Sequence, residues 1–267
     1  EFLAEKRSEH SAADSWWQGY IQGLSEFAGE ISHVLVLEEI VRLTPTIPHL
    51  VDVLRNQLEQ TPDEQLEPLF RGVTRFYHSQ AIFAEAQMWA EQARTVLSKR
   101  LGEDHPDVAT SLNNLARLYR SQGRYSDAEP LYLQSLEIVK HNFGEDHPKV
   151  ATRLNNLANL YSDQGRYSDA EPLFLQAIDI GKRSLGEDHP DVATSLNNLA
   201  ALNRAKRGNR ISRVLKFTLL GLLISLLIHT LILFTQSNNP RVLFRLVLVL
   251  LLGGGLCVAT RKHKIKA

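Results

Sequence analysis

The sequence predicts an all-α protein: a solenoid of stacked helical hairpins followed by a two-helix transmembrane hairpin. Three observations carry this reading. The segment GEDHP recurs at Gly102, Gly144 and Gly186, a constant period of 42 residues, and a fixed period of that size marks a repeat architecture. Within each period the apolar residues follow helical spacing. Charge is also divided along the chain: residues 1–203 hold all 30 acids and 18 bases, a net −12, whereas residues 204–267 hold 12 bases and no acid. An acid-free, apolar tail flanked by bases and attached to an acidic body points to two solvents, water and bilayer.

Composition narrows the class further. A chain of 267 residues with balanced total charge is neither a uniformly basic nucleic-acid coat nor an acidic disordered tail. One cysteine, Cys257, excludes a disulfide framework and a cysteine-rich zinc site. The sole methionine is Met88, so the sequence reads as a piece of a longer or processed product.

Residues 1–60 form the first region. Ile40, Val41 and Leu43, then Leu50, Val51, Val53, Leu54 and Leu58, follow helical spacing, and the run Thr44-Pro45-Thr46-Ile47-Pro48 divides them into two helices. Trp16 and Trp17 are expected to pack between helices, the usual fate of tryptophan.

Residues 61–208 hold the repeats: one degenerate unit, two full units and a half unit. Residues 102–139 match 144–181 at 28 of 38 positions, and 186–203 match 102–119 at 16 of 18. Upstream, Tyr77, Phe83 and Ala86 precede Tyr119, Tyr125 and Ala128 by the same 42. Each unit reads as a hairpin. His105-Pro106-Asp107 opens a first helix, with proline where a missing N–H costs nothing and aspartate at the positive helix end. Val108, Leu112, Leu115, Ala116 and Tyr119 make its core stripe. Gln122-Gly123-Arg124 supplies the turn, and Ser126 with Glu129 is expected to form a capping box for the second helix, whose buried face continues through Leu131, Ser135 and Ile138. One hairpin cannot bury its apolar face alone, so the units stack.

The frame LxxLAxxYxxQGRYxxAExxYxxS over about residues 60–203 resembles the tetratricopeptide repeat. Its 42-residue period and the run GEDHPDVATSLNNLA are similar to the kinesin-light-chain subtype common in bacterial proteins. The pattern departs at Asn203, which stands where the core tyrosine belongs; no second helix follows, and the half unit is expected to act as a capping helix. Glu1–Lys6, EFLAEK, is similar to the end of the winged-helix part of STAND-type signalling ATPases. That resemblance implies an alternative in which the repeats are the sensor arm of such an ATPase. No GxxxxGK[ST] loop occurs in the chain, so its nucleotide-binding domain would lie upstream.

Residues 209–267 form the third region. Spans are expected over 214–234 and 242–260, each near the roughly 20 apolar residues needed to cross a bilayer, joined by the polar turn 235–241. Basic residues flank both, including Arg204, Lys206, Arg207 and Arg210 before and Arg261, Lys262, Lys264 and Lys266 after. The positive-inside rule then places the repeats and both ends of the hairpin in the cytoplasm, and the bacterial resemblance implies the inner membrane. His229 has no Asp or Glu in the tail to pair with, which speaks against a proton-relay transporter.

No catalytic motif of the GxSxG, HExxH or CxxC type occurs, so no enzyme activity, cofactor or small-molecule substrate is expected. The His105, His147 and His189 clusters have metal-ligand residue types, but successive repeats space them about 10 Å apart, too far to share one ion; they are read as loop and cap residues. The candidate site is the face opposite the core stripe. It carries Asn113, Asn114 and Arg117 in one unit, Asn155, Asn156 and Asn159 in the next, and Asn197 and Asn198 in the half unit. An asparagine side chain both donates and accepts, and the resemblance implies that such a ladder lines a concave groove and holds the backbone of a bound peptide. Arg117 against Asn159 and Ala201 is expected to set specificity. The acidic body argues against nucleic acid, which leaves a peptide or protein partner.

Overall fold

The computed structural model describes residues 13–32 and 35–237. Glu1–Lys6, with its ATPase resemblance, and the second span expected over 242–260 lie outside the described residues. Among the described residues there are helices, turns and loops and no strand. Residues to Leu202 form one compact unit and those from Asn203 a second.

The first unit opens with α1 (Ala13–Glu30), α2 (Leu37–Leu43) and α3 (Ile47–Asn56). The Thr44–Thr46 break falls where Pro45 and Pro48 deny the chain a continuous amide ladder. Trp17, Ile21, Leu24 and Ala28 form the buried stripe of α1. The tryptophan pair divides its roles: Trp17 is in the core, while Trp16 is exposed and stacks on Tyr20 at 5.4 Å.

Three hairpins follow. They are α4 (Asp63–Ser79) with α5 (Phe83–Leu101), α6 (Pro106–Ser121) with α7 (Tyr125–Phe143), and α8 (Pro148–Asp163) with α9 (Tyr167–Leu185). Each GEDHP segment explains its own geometry. Gly102, Gly144 and Gly186 end a second helix at positive φ. The histidine then caps the next helix through its ring: His105 Nδ1 accepts from the Asp107 amide at 3.1 Å, and His147 and His189 repeat the bond at 3.1 and 3.2 Å. Proline takes the first helical position each time. The predicted core stripe Val108, Leu112, Leu115, Ala116 and Tyr119 is buried, as are Leu131, Ser135 and Ile138 facing it.

The capping box expected at Ser126 and Glu129 does not form. The cap position is Arg124, which makes no side-chain cap bond but reaches forward from Nε to Asp127 at 2.8 Å. Glu129 is instead engaged by Arg166 of the following repeat at 3.0 Å. An inter-repeat ion pair has won over a local bond.

The helix α1 docks on α4 with repeat geometry. Arg71 Nη1 donates to Gly29 O at 3.4 Å and Arg75 Nη1 to Ile31 O at 2.8 Å, across 42 and 44 residues. Gly72 lies so close to Ala28 that a Cβ there would meet the alanine Cβ at 2.7 Å. The stack of first helices thus continues upstream of the degenerate unit, with α1 in the place of its predecessor.

The last helix, α10 (Pro190–Ser237), begins as a first helix. In the second unit the side chains of Val214, Leu215, Phe217, Leu220, Leu222, Ile224 and Leu226 are exposed. Side chains at 227, 230 and 231 lie outside the described set. Among the described residues no helix is long and apolar enough to cross a membrane.

Candidate functional site

The first helices α4, α6, α8 and the start of α10 present one common face, because stacking sets residues about 42 positions apart side by side. The asparagines on it are tied to one another. Asn156 Nδ2 donates to Asn113 Oδ1 at 2.9 Å, and Asn198 Nδ2 donates to Asn155 Oδ1 at 3.2 Å, each across 43 residues. The second asparagine of a pair therefore reaches back to the first asparagine of the preceding repeat. Asn113 is only 5% exposed, although helical periodicity alone set it opposite the core. Its neighbour across the face is another helix, not solvent. Asn114, Asn155, Asn156, Asn159 and Asn198 are half-buried, and Asn197 is exposed. An asparagine offers up to four bonding positions, and the bonds between repeats use one on each, so the ladder is both a staple and a polar lining. The α8, α9 and α10 end encloses a cleft of about 190 Å³ bordered by Thr152, Asn155, Asn156, Thr194 and Ser195.

The other half of the face is cationic. Arg71, Thr74, Arg75, His78, Asn114 and Arg117 border one recess between α4 and α6. Arg75 and Arg117 occupy the same position in successive repeats, and Arg71 stands where the full repeats carry their first asparagine. Arg71 Nε lies 3.0 Å from both Glu67 oxygens. Arg120 pairs with Asp163 at 2.6 Å, and Arg153, 8% exposed, reaches Thr110 Oγ1 at 3.4 Å. Five guanidiniums, Arg71, Arg75, Arg117, Arg120 and Arg153, thus crowd one neighbourhood of a body whose net charge is negative.

Electrostatics record the crowding. Burial, then Arg71 and Arg117, lowers Arg75 to about 10 against the weaker pull of Glu67. Burial lowers Arg153 to about 10, with Glu67 and Tyr132 opposing and Arg117 adding to the fall. Arg117 is lowered by burial and by Arg120, and His78 by burial and then Arg117. Glu67 is raised because burial outweighs Arg71. Tyr132 is pushed up to about 12 by burial, which the nearby Arg120 and Arg117 do not offset.

Of the residues expected at the site, Asn113 and Asn156 are brought together, as are Asn155 and Asn198, and Asn114 and Arg117 border the α4–α6 recess. Arg75, Arg120 and Arg153 join them without having been expected, and Arg71 stands where the ladder would otherwise begin. The register 75–117 was visible as a 42-residue spacing; Arg153 was not, because the equivalent positions in the neighbouring units are Ser111 and Ser195. The outer edge carries a separate inter-repeat device: Arg124 and Arg166 lie over the Tyr119 and Tyr161 rings at 4.1 and 4.0 Å, and Tyr119 Oη donates to Glu91 at 2.8 Å. Among the described residues no group of three or more His, Cys, Asp or Glu side chains converges to hold a metal.

Tetratricopeptide repeat models match residues 75–141 and 150–191. Among solved structures, BtubC (BKLC) from P. vanneervenii is similar over 80% of this chain and 87% of its own, with 19% identity and a TM-score of 0.57. Two structures of a Podosopora anserina kinesin-light-chain-type protein with nearly identical TPR-like repeats match at 23% and 24% identity. They cover 68% and 66% of this chain and 95% and 92% of their own, with TM-scores of 0.46 and 0.45. No curated protein matches. At these identities the likeness speaks to fold. Residues 75–141 and 150–191 are therefore tetratricopeptide repeats, carried in an all-α solenoid of the fold also seen in BtubC.

Proposed function

We propose that this chain is a protein-interaction scaffold that takes a peptide or protein segment along the first-helix face of its repeats and makes or breaks no covalent bond. One observation carries the reading: polar and charged side chains recur along that face at the repeat period, with Asn114, Arg117, Asn155, Asn156 and Asn159 still partly open to solvent, and at the α4–α6 end they are cationic. Asn155, Asn159, Asn197 and Asn198 have bonding capacity for backbone amides. Arg75, Arg117 and Arg153 favour acidic side chains of the partner, since an added carboxylate relieves the mutual repulsion of buried guanidiniums. The test is titration of the full chain in detergent with labelled acidic, neutral and basic peptides of equal length. The acidic peptide is expected to bind best, to weaken about tenfold or more with Arg117→Ala, as the loss of one charge-assisted hydrogen bond implies, and to weaken with salt. Equal binding of all three, or an unaffected variant, removes the reading.

The tail supports membrane attachment as the second element of this function. Most of its described apolar side chains from Val214 to Leu226 are exposed, and the sequence carries no charge from Phe217 to Phe234; water is a poor solvent for such a surface. We assign residues 214–234 and 242–260 to lipid and the repeats to the cytoplasmic side of the membrane. Membrane fractionation with protease protection tests this: extraction by carbonate without detergent would withdraw it.

A further inference from the structure

One position of the first helix differs among the joints between repeats. It is Ser111 in α6, Arg153 in α8 and Ser195 in α10, at a spacing of 42. In the α6–α8 joint the arginine lies inside the array, 8% exposed, and its Nη2 donates to Thr110 Oγ1 at 3.4 Å. That hydroxyl accepts because its own proton goes to Pro106 O at 3.1 Å. One repeat further on, serine stands in place of the arginine, while Thr152 repeats the bond of Thr110, to Pro148 O at 3.2 Å. What this joint holds is the cleft of about 190 Å³ between α8, α9 and α10, several times the roughly 30 Å³ that one water takes up.

The lining calls for a donor-rich cation. Thr152, Thr194 and Ser195 each give their hydroxyl proton to their own helix, at Pro148 O, Pro190 O and Asp191 O over 3.2, 2.9 and 3.0 Å. They therefore offer a ligand lone pairs and not protons. Asn156 gives an N–H to Asn113 and keeps its oxygen, and the exposed Asp191 carboxylate borders the same cleft. Asn155, whose oxygen is taken by Asn198, adds donors on one side. Ala151, Ala177 and Val192 supply a buried apolar floor, suited to the methylenes of a long cationic side chain. Several acceptors at fixed places match the flat five-donor fork of a guanidinium better than a compact ammonium. All of these residues belong to the first unit.

We infer that the cleft between α8, α9 and α10 is a receptor for a guanidinium, supplied by an arginine of the segment that lies along the first-helix face. The chain's own Arg153 takes the equivalent place one joint upstream. The site rests on the scaffold reading only for the source of that arginine. Two repeat steps of about 10 Å separate it from the cationic recess, so the arginine falls about six extended residues from the partner's acidic group. The test follows the methyl resonances of Ala151 and Ala177 in the full chain in detergent. N-acetyl-arginine methylamide is expected to shift both in the millimolar range, with the lysine and citrulline analogues about tenfold weaker. Ser195→Arg is expected to plug the cleft and abolish the shifts. Thr152→Val, at an exposed position, is expected to weaken the arginine probe about tenfold. Absent shifts, citrulline binding as well as arginine, or an affinity unchanged in Thr152→Val overturns the inference, whether or not acidic peptides bind. A second arm uses acidic peptides with an arginine about six residues to either side of the acidic group. The arginine is expected to tighten binding several-fold over citrulline, and Ser195→Arg to erase that gain. Methylamide binding without the gain withdraws the partner's arginine in favour of a free guanidino compound.

Discussion

Asn156 and Asn113, 43 residues apart, share a hydrogen bond of 2.9 Å from the Asn156 amide to the Asn113 carbonyl. The bond makes a side chain of the first-helix face part of the joint between repeats. Asn113→Ala leaves the Asn156 amide unpaired in a half-buried position and is expected to cost about 1–2 kcal/mol in denaturant unfolding. Asn197→Ala, exposed and at the end of the ladder, is expected to stay within about 0.5 kcal/mol. Equal costs would mean that the ladder does not staple the array.

The turn between the two helices of a repeat needs a left-handed residue. Gly123 and Gly165 supply it at φ 73° and 74°, and the degenerate unit forces Ala81 into the same place at φ 59°. Ala81→Gly is expected to stabilise the protein by up to about 1 kcal/mol, the Cβ penalty less the entropy glycine loses on folding. Gly123→Ala is expected to destabilise it by about the same amount. Thermal unfolding of the two variants reads the opposite signs.

Burial separates positions that the repeat pattern treats alike. Leu112→Ala is expected to cost about 2–5 kcal/mol through a cavity. Leu196→Ala, at the same place in the half unit but open on one side, is expected to cost under about 1 kcal/mol. Chemical unfolding distinguishes them.

Alkali is expected to loosen the α6–α7 hairpin. Tyr132 is raised to about 12 in the fold from an ordinary 10. The folded state therefore keeps a proton that the unfolded chain gives up, and stability present below pH 10 falls as pH rises from 10 towards 12, by about 2–3 kcal/mol. Tyr132→Phe is expected to flatten that limb of the unfolding profile. His78 works in the opposite direction: its lowered value makes its neutral form the one the fold prefers, so its contribution is present above the ordinary histidine range and fades as pH drops through it. A His78→Gln profile with the same acid limb as the parent chain would rule this contribution out.

Much of the fold was legible because the information is local. His105-Pro106-Asp107 and Gly102 announce a boundary through backbone chemistry that needs no distant partner, and the stripe Val108 to Tyr119 selects its helix face by period alone. The capping box at Ser126 and Glu129 was misread for a related reason. Local rules favour it, but a guanidinium from the next repeat, Arg166, lies within reach of Glu129 only after stacking. Asn113 was placed on an open face because a single helix has only two sides, while a stacked one has neighbours on both flanks.

The sequence by itself determined an all-α repeat array, its 42-residue period and its hairpin units, since periodicity and caps act within one or two turns of chain. Only the tertiary structure decided that the asparagines bond in pairs across repeats and that Arg75, Arg117 and Arg153 are crowded together and partly buried. It alone also decided that α10 keeps one face uncovered. These depend on which side chains stacking brings within about 3 Å and away from water, and identical repeat motifs leave that register unstated until the helices are packed.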